Sequence, residues 1–182
     1  MSDSLKINVM IIPDSGRHLV FSEDEDWFKK CVCASEDVQP EFRLIHADVD
    51  CLITKSGDTI FIRGKLNVRL CMDCSRCLEP ANLTAGGDFT YTLLPAPPET
   101  REDVELSAED LEIGSYKGDF IDLAPMIYEQ IVLLAPMKVL CDPQCKGLCP
   151  YCGVNRNAVS CGCRTDRVDE RLAVLKKIQI KN

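Results

Sequence analysis

The sequence predicts an α+β fold: an antiparallel β-sheet body with flanking helices and a C-terminal Cys-rich zinc module. Three observations lead there. The stretches FRLIHADVDCLI (42–53) and DTIFIRGKLNVRL (58–70) alternate with period two on either side of one turn, which reads as a β-hairpin. Helical stripes flank the strands and do not alternate with them, so a doubly wound sheet is excluded. Six of the 12 cysteines fall between Cys141 and Cys163, too close together for ordinary core positions.

In chain order, LKINVMII (5–12) alternates well enough for an opening strand. Ser22 and Glu25 stand in capping-box spacing, the hydroxyl and the carboxylate covering free N–H groups at a helix start. Trp27, Phe28, Cys31 and Val32 then form one apolar stripe, with Lys29 and Lys30 in solvent. The hairpin follows, its turn placed at Thr54-Lys55-Ser56-Gly57, and DFTYTLLP (88–95) adds a further strand. Residues 95–119 hold eight acids against two basic residues, with Pro97-Pro98 near the start, and read as a mobile acidic loop. A helix over 121–136 is capped by Asp122, tolerates Pro125 in its first turn and stops at Pro136. Leu123, Ile127, Ile131 and Leu134 form its apolar face. A last helix begins at Asp166, with Val168, Leu172, Leu175 and Ile178 on one stripe and Lys176 and Lys177 suiting the dipole of its final turn. The organisation is therefore a body over 1–137, including the acidic loop, and a zinc-knuckle module with a helix over 138–182.

Charge and compartment narrow the chemistry. The net charge of −8 is unevenly spread: residues 138–182 carry nine Lys/Arg against four acids, and the remainder carries 12 against 25. The N-terminal segment lacks the apolar core and cleavage site of a secretory signal, and no apolar run is long enough to span a bilayer. The expectation is a cytoplasmic protein without membrane contact, in which clustered thiols hold metal or do redox work more often than they form disulfides.

The cysteine spacing divides eight thiols into two sets. Cys149-Pro-Tyr-Cys152-Gly153 has the form of a zinc knuckle, two thiolates gripping one ion while the glycine turns backbone N–H groups toward sulfur. Cys161 and Cys163 complete a tetrahedral set, although the tight CxC spacing leaves open whether both bind. Cys74 and Cys77 form a second pair, with Cys141 and Cys145 as their partners. The expected cofactor is Zn2+, two per chain. The alternative is an iron–sulfur or thiol redox protein: Cys71, Cys74 and Cys77 resemble the start of a ferredoxin run, but Ala81 stands where the fourth cysteine belongs. Cys31, Cys33, Cys51 and Cys71 read as small buried or surface residues. His18, His46 and Glu129 form no catalytic constellation, and there is no phosphate loop, nucleophile elbow or small-molecule substrate signature. A zinc already holding four thiolates has no open position for water, so no enzyme is expected.

An ordered set of segments points to a family. Gly64-Lys-Leu-Asn-Val, Cys74-Ser-Arg-Cys77-Leu-Glu, Ile121-Asp-Leu with Glu129 and Ala135-Pro136, Cys145-Lys-Gly-Leu-Cys149-Pro-Tyr-Cys152-Gly-Val-Asn155, and Cys161-Gly-Cys163 with Asp166 and Arg171 together resemble the YceD-like large ribosomal RNA subunit accumulation proteins. The resemblance covers roughly residues 60–178. It implies a non-enzymatic factor of ribosome biogenesis that supports accumulation of large-subunit (23S) ribosomal RNA, with that RNA or a large-subunit ribosomal protein as partner. Phosphates would then be met by Lys146, Arg156, Arg164, Arg167, Arg171, Lys176 and Lys177, and Tyr151 would either stack on an unpaired base or pack over the zinc loop.

Overall fold

The computed structural model describes residues 5–34, 40–96 and 113–163. Its elements in order are β1 (Lys6–Asn8), a 3-10 turn (Val9–Ile11), β2 (Arg17–Asp24), α1 (Glu25–Ala34), β3 (Phe42–Ser56), β4 (Thr59–Asp73), β5 (Pro80–Pro95), β6 (Ile113–Tyr116), β7 (Phe120–Asp122) and α2 (Ala124–Leu134). Five strands form one sheet in the order β2-β3-β4-β5-β6, and β1 pairs with β7 in a separate ribbon. The fold is α+β, as the sequence predicts. The sheet, however, is mixed and not purely antiparallel, because β6 runs parallel to β5.

The β3–β4 hairpin is the spine, and its alternation is a direct consequence of one buried face. Ala47, Val49, Cys51 and Ile53 point inward from β3 while Asp48, Asp50 and Leu52 face out; Ile60, Ile62, Leu66, Val68 and Leu70 do the same from β4. A bulge between Leu44 and His46 inserts Ile45 and resets the parity, so that Leu44 also lies inside. The inner face is covered by Trp27 and Phe28 of α1, by Ile127 and Ile131 of α2, and by Leu5, Ile7, Val9, Ile121 and Leu123 from the small ribbon and its flanks. Each fully buried Leu or Ile contributes about 1.5–3 kcal/mol, and twelve of the largest core side chains are under 2% exposed, so this layer sets the body's stability.

Several local readings need correction. The opening strand is only three residues long, because the Asn8 carboxamide accepts from the Met10 N–H and starts the 3-10 turn. Arg17–Asp24 is a strand, and Ser22 lies within it, bonding Asp48 on the neighbouring strand. The cap of α1 is instead Asp24, whose carboxylate accepts from the N–H groups of Asp26 and Trp27, while Glu25 pairs with Lys29 one turn on. The hairpin turn falls at Gly57-Asp58, two residues beyond the centre of the expected one, between Ser56 and Thr59. The acidic segment is shorter than expected, since residues 113–116 are a strand, and the helix expected from 121 starts only at Ala124, because residues 120–122 form β7; residues 97–112 lie outside the described residues. The Asp122 carboxylate accepts from the Ala124 N–H at the start of α2, and Pro125 sits in the first turn. The helix expected after Asp166 lies outside the described residues.

Candidate metal centre

Strand β4 ends at Asp73, and the chain folds directly into a knuckle. The Leu78 N–H donates to the Cys74 carbonyl (2.9 Å) and the Cys74 N–H to the Glu79 carbonyl (2.9 Å), after which β5 returns antiparallel to β4. The same pattern recurs in the C-terminal segment. There the Gly153 N–H donates to the Cys149 carbonyl (2.9 Å) and the Cys149 N–H to the Val154 carbonyl (2.8 Å). The two CxxC segments are thus built alike, one on the sheet and one on a short loop closed by the Leu148–Asn155 bridge.

The sheet knuckle and the C-terminal segment interlock. Ser75 N–H donates to the Val139 carbonyl, and the Val139 N–H to the Ser75 hydroxyl. Leu148 N–H donates to the Arg76 carbonyl (2.8 Å), and the Arg76 guanidinium to the Cys145 carbonyl (2.8 Å). Gly147, at φ +72°, passes so close that a β-carbon there would lie 2.9 Å from the Arg76 carbonyl oxygen.

These contacts gather eight thiols into two groups, Cys74, Cys77, Cys141 and Cys145, and Cys149, Cys152, Cys161 and Cys163, with the sulfurs of each group within 4.8 Å of one another. The Cys77 and Cys141 sulfurs are 3.5 Å apart and those of Cys74 and Cys145 3.8 Å, far from the length of a disulfide. Four sulfurs arranged tetrahedrally around an ion at about 2.3 Å are roughly 3.8 Å apart, so the first group has the dimensions of a closed thiolate site. Each group can hold a metal ion.

The electrostatics point the same way. Backbone N–H groups of Cys141 and Arg76 bring the Cys74 thiol down to about 6, against its burial. Those of Cys152 and Tyr151 bring Cys149 to about 6. The Asn157 carboxamide, 3.2 Å from the Cys145 sulfur, lowers Cys145. Neighbouring thiols act oppositely at two other positions: Cys77 and Cys145 push Cys141 up to about 12, and Cys152 and burial push Cys163 to about 12. For Cys77, the Glu79 N–H lowers the thiol but burial and the adjacent Cys74 and Cys145 outweigh it, and the net shift is upward. Each group therefore ionises readily in part and resists full ionisation until a cation offsets the crowded negative charge.

The other cysteines stand apart. Cys71 lies on β4 with the Arg43 guanidinium 3.4 Å from its sulfur and joins neither group, so the CxxCxxC run does not assemble a common site. Burial raises Cys31 and Cys51 to about 11, which leaves them protonated and inert. His18 and His46 lie along the sheet, bonded to Asp50 (2.6 Å) and Asp48 (2.9 Å), and Glu129 accepts from the Tyr91 hydroxyl (3.2 Å). Lys146, Tyr151 and Arg156 are exposed around the second knuckle; Arg164, Arg167, Arg171, Lys176 and Lys177 lie outside the described residues. The residues that sequence reasoning missed are the positioning groups Ser75, Arg76, Asn155 and Asn157. Their contacts cross between segments 64 or more residues apart or within a loop, where spacing carries no signal.

Residues 62–179 match the family described as Large ribosomal RNA subunit accumulation protein YceD, a stretch that contains both thiol groups. The chain belongs to the YceD family. Uncharacterised proteins of Mycobacterium tuberculosis and Mycobacterium bovis are each 32% identical over 128 residues, covering 70% of this chain and 59% of the relative. The chloroplastic large ribosomal RNA subunit accumulation protein YCED homolog 1 of Zea mays is 27% identical over 150 residues, 69% of this chain and 51% of the relative. The chain thus spans between half and three-fifths of the length of these relatives. No solved structure is significantly similar to it. Among the described residues, no helix is long and apolar enough to cross a membrane.

Proposed function

We propose that this protein is a non-enzymatic, cytoplasmic factor of large-subunit ribosome biogenesis that supports accumulation of the large-subunit ribosomal RNA. The observation that carries the reading is membership of the YceD family over a segment that includes both thiol groups. The metal we assign to each group is zinc, two per chain, because four thiolates in a closed tetrahedral set are a structural zinc site with no position left for a reacting water. The first ion fixes the C-terminal module (138–182) on the body (1–137), and the second closes the module's own loop. The partner is large-subunit ribosomal RNA, a large-subunit ribosomal protein, or both. Lys146, Arg156 and the basic residues beyond Cys163 suit phosphates, and Tyr151, 49% exposed, offers a ring for stacking.

Depletion of the protein, followed by gradient profiling of ribosomes and measurement of both ribosomal RNAs, tests the function. A selective fall in large-subunit RNA is expected, and unchanged levels would sink the proposal. Anaerobic purification tests the metal. A colourless protein with zinc is expected, whereas a brown one with iron and sulfide would replace zinc by a cluster.

A further inference from the structure

The two thiol groups share a side chain. Asn157 lies in the segment between Cys152 and Cys161 that the second group closes, yet its carboxamide reaches the first group. The nitrogen donates to the Cys145 sulfur (3.2 Å) and the oxygen accepts from the Lys146 N–H (2.7 Å), so the carboxamide grips the ligand and the residue after it. The other N–H groups that reach Cys74, Cys77, Cys145 and Cys149 belong to the backbone. At Asn157, by contrast, a side chain of one site's loop touches a ligand of the other site.

What holds Asn157 in place is chiefly the second group. Residues 156–160 are all exposed, so no apolar burial fixes this stretch. Its other ties are hydrogen bonds: Arg156 N–H to the Gly147 carbonyl, Asn157 N–H to the Asn155 carboxamide, and the Ala158 and Val159 N–H groups to the Asn155 carbonyl. Bonds of this kind in an exposed loop exchange with water and open easily. An ion held by Cys149, Cys152, Cys161 and Cys163 pins both ends of the segment. The first group gains from the contact, because four thiolates on a divalent ion leave a formal charge of about −2 that outer N–H donors offset. Access to the two groups also differs. In the first only Cys141 is exposed, whereas in the second only Cys149 is buried.

We propose that the two metal sites are coupled through Asn157, a positioning residue by which an ion in the open second site strengthens the hold of the enclosed first site. The inference rests on the assignment of one ion to each group and adds a regulation to it. The coupling is reciprocal, each ion tightening the other by the same factor. Loss of the accessible ion then loosens the junction between module and body while all four ligands of the first site stay in place.

The test uses the full chain loaded with cadmium-113, whose NMR signal reports each thiolate set separately; variants lacking one set assign the two resonances. Occupancy of the first site is followed against a competing chelator. Emptying the second site with Cys149→Ser/Cys152→Ser is expected to weaken the first about three- to fivefold, the share of one exposed hydrogen bond. Asn157→Ala is expected to weaken it about tenfold, the scale of an outer donor to a metal ligand. Asn157→Asp keeps the acceptor for the Lys146 N–H but sets a carboxylate against the sulfur. It should weaken the site at least as much as Asn157→Ala, whereas a purely structural role would leave it close to the parent. Adding Cys149→Ser/Cys152→Ser to Asn157→Ala should cause no further loss. First-site affinity that ignores the state of the second site overturns the inference. So do losses that multiply in the combined variant, and parent affinity in Asn157→Asp. A parent that binds fewer than two ions removes the two-site assignment and the inference with it, whereas two ions without coupling remove the inference alone.

Discussion

Replacing Cys74 and Cys77 together by serine is expected to destabilise the body itself, although both cysteines lie outside its main apolar cluster. The first thiol group joins residues 64 positions apart, from Cys77 to Cys141, whereas the second bridges only the nine positions from Cys152 to Cys161. An ion that closes a loop restricts the unfolded chain much as a disulfide does. The loop-closure part alone is then roughly 4 kcal/mol for the long loop and roughly 2.6 kcal/mol for the short one. The long loop contains β5, β6, β7 and α2, so its constraint acts on the body; the short loop lies wholly within the C-terminal module. Trp27 is the protein's single tryptophan and is buried in the body core, so its fluorescence during urea or thermal unfolding reports the body alone. Cys74→Ser/Cys77→Ser should lower the Trp27 transition by roughly 4 kcal/mol, or roughly 8–16 °C at this chain length. Cys149→Ser/Cys152→Ser should leave that transition within about 1 kcal/mol of the parent. Metal analysis should fall from two ions per chain to one in each variant. Equal shifts of the Trp27 transition in the two variants would refute the argument from loop span, and an unchanged metal count in Cys74→Ser/Cys77→Ser would refute the first site.

Three further outcomes follow from named contacts. Gly147→Ala places a β-carbon 2.9 Å from the Arg76 carbonyl oxygen in a left-handed backbone, and should cost about 1–3 kcal/mol and weaken the first site's hold on metal, measured by competition with a chelator. Asp24→Ala removes the cap of α1 and should cost about 1 kcal/mol in urea unfolding, whereas Ser22→Ala should cost less, because its partner Asp48 keeps His46. Metal uptake at pH 8 should release fewer than four protons per ion, read by calorimetry in buffers of different ionisation enthalpy, since Cys74 and Cys149, held near about 6, are already thiolates while Cys141 and Cys163, near about 12, are not. The sign is fixed by proton competition. Affinity falls as pH falls, and more steeply below about 6, where Cys74 and Cys149 regain their protons as well.

The cysteine partition was legible because the thiol pairs are local in sequence: two thiols separated by one to three residues can reach one ion whatever the rest of the chain does. The hairpin and α2 were legible from one buried face apiece. Strand β2 was not, because its inward residues Arg17, Leu19, Phe21 and Glu23 are only partly buried and its Ser22-to-Glu25 end imitates a cap. Strand β6 was hidden in an acidic stretch, since Ile113-Gly-Ser-Tyr owes its conformation to backbone pairing with β5 and has a single half-buried side chain, Tyr116.

The 64-residue reach of the first site also sets a timetable for the newborn chain. Strands β2 to β5 are complete by Pro95, yet Cys74 and Cys77 must wait until Cys141 and Cys145 have been synthesised and have left the ribosomal exit tunnel. At about 5–20 residues per second, 64 residues take roughly 3–13 s. During that interval the β4–β5 connection carries a pair of unclaimed thiols, open to oxidants and to whichever soft metal arrives first. Metal loading of this site would therefore be a late event in the life of each molecule, and cells short of the metal would accumulate chains whose sheet has formed but whose C-terminal segment has never been fastened to it.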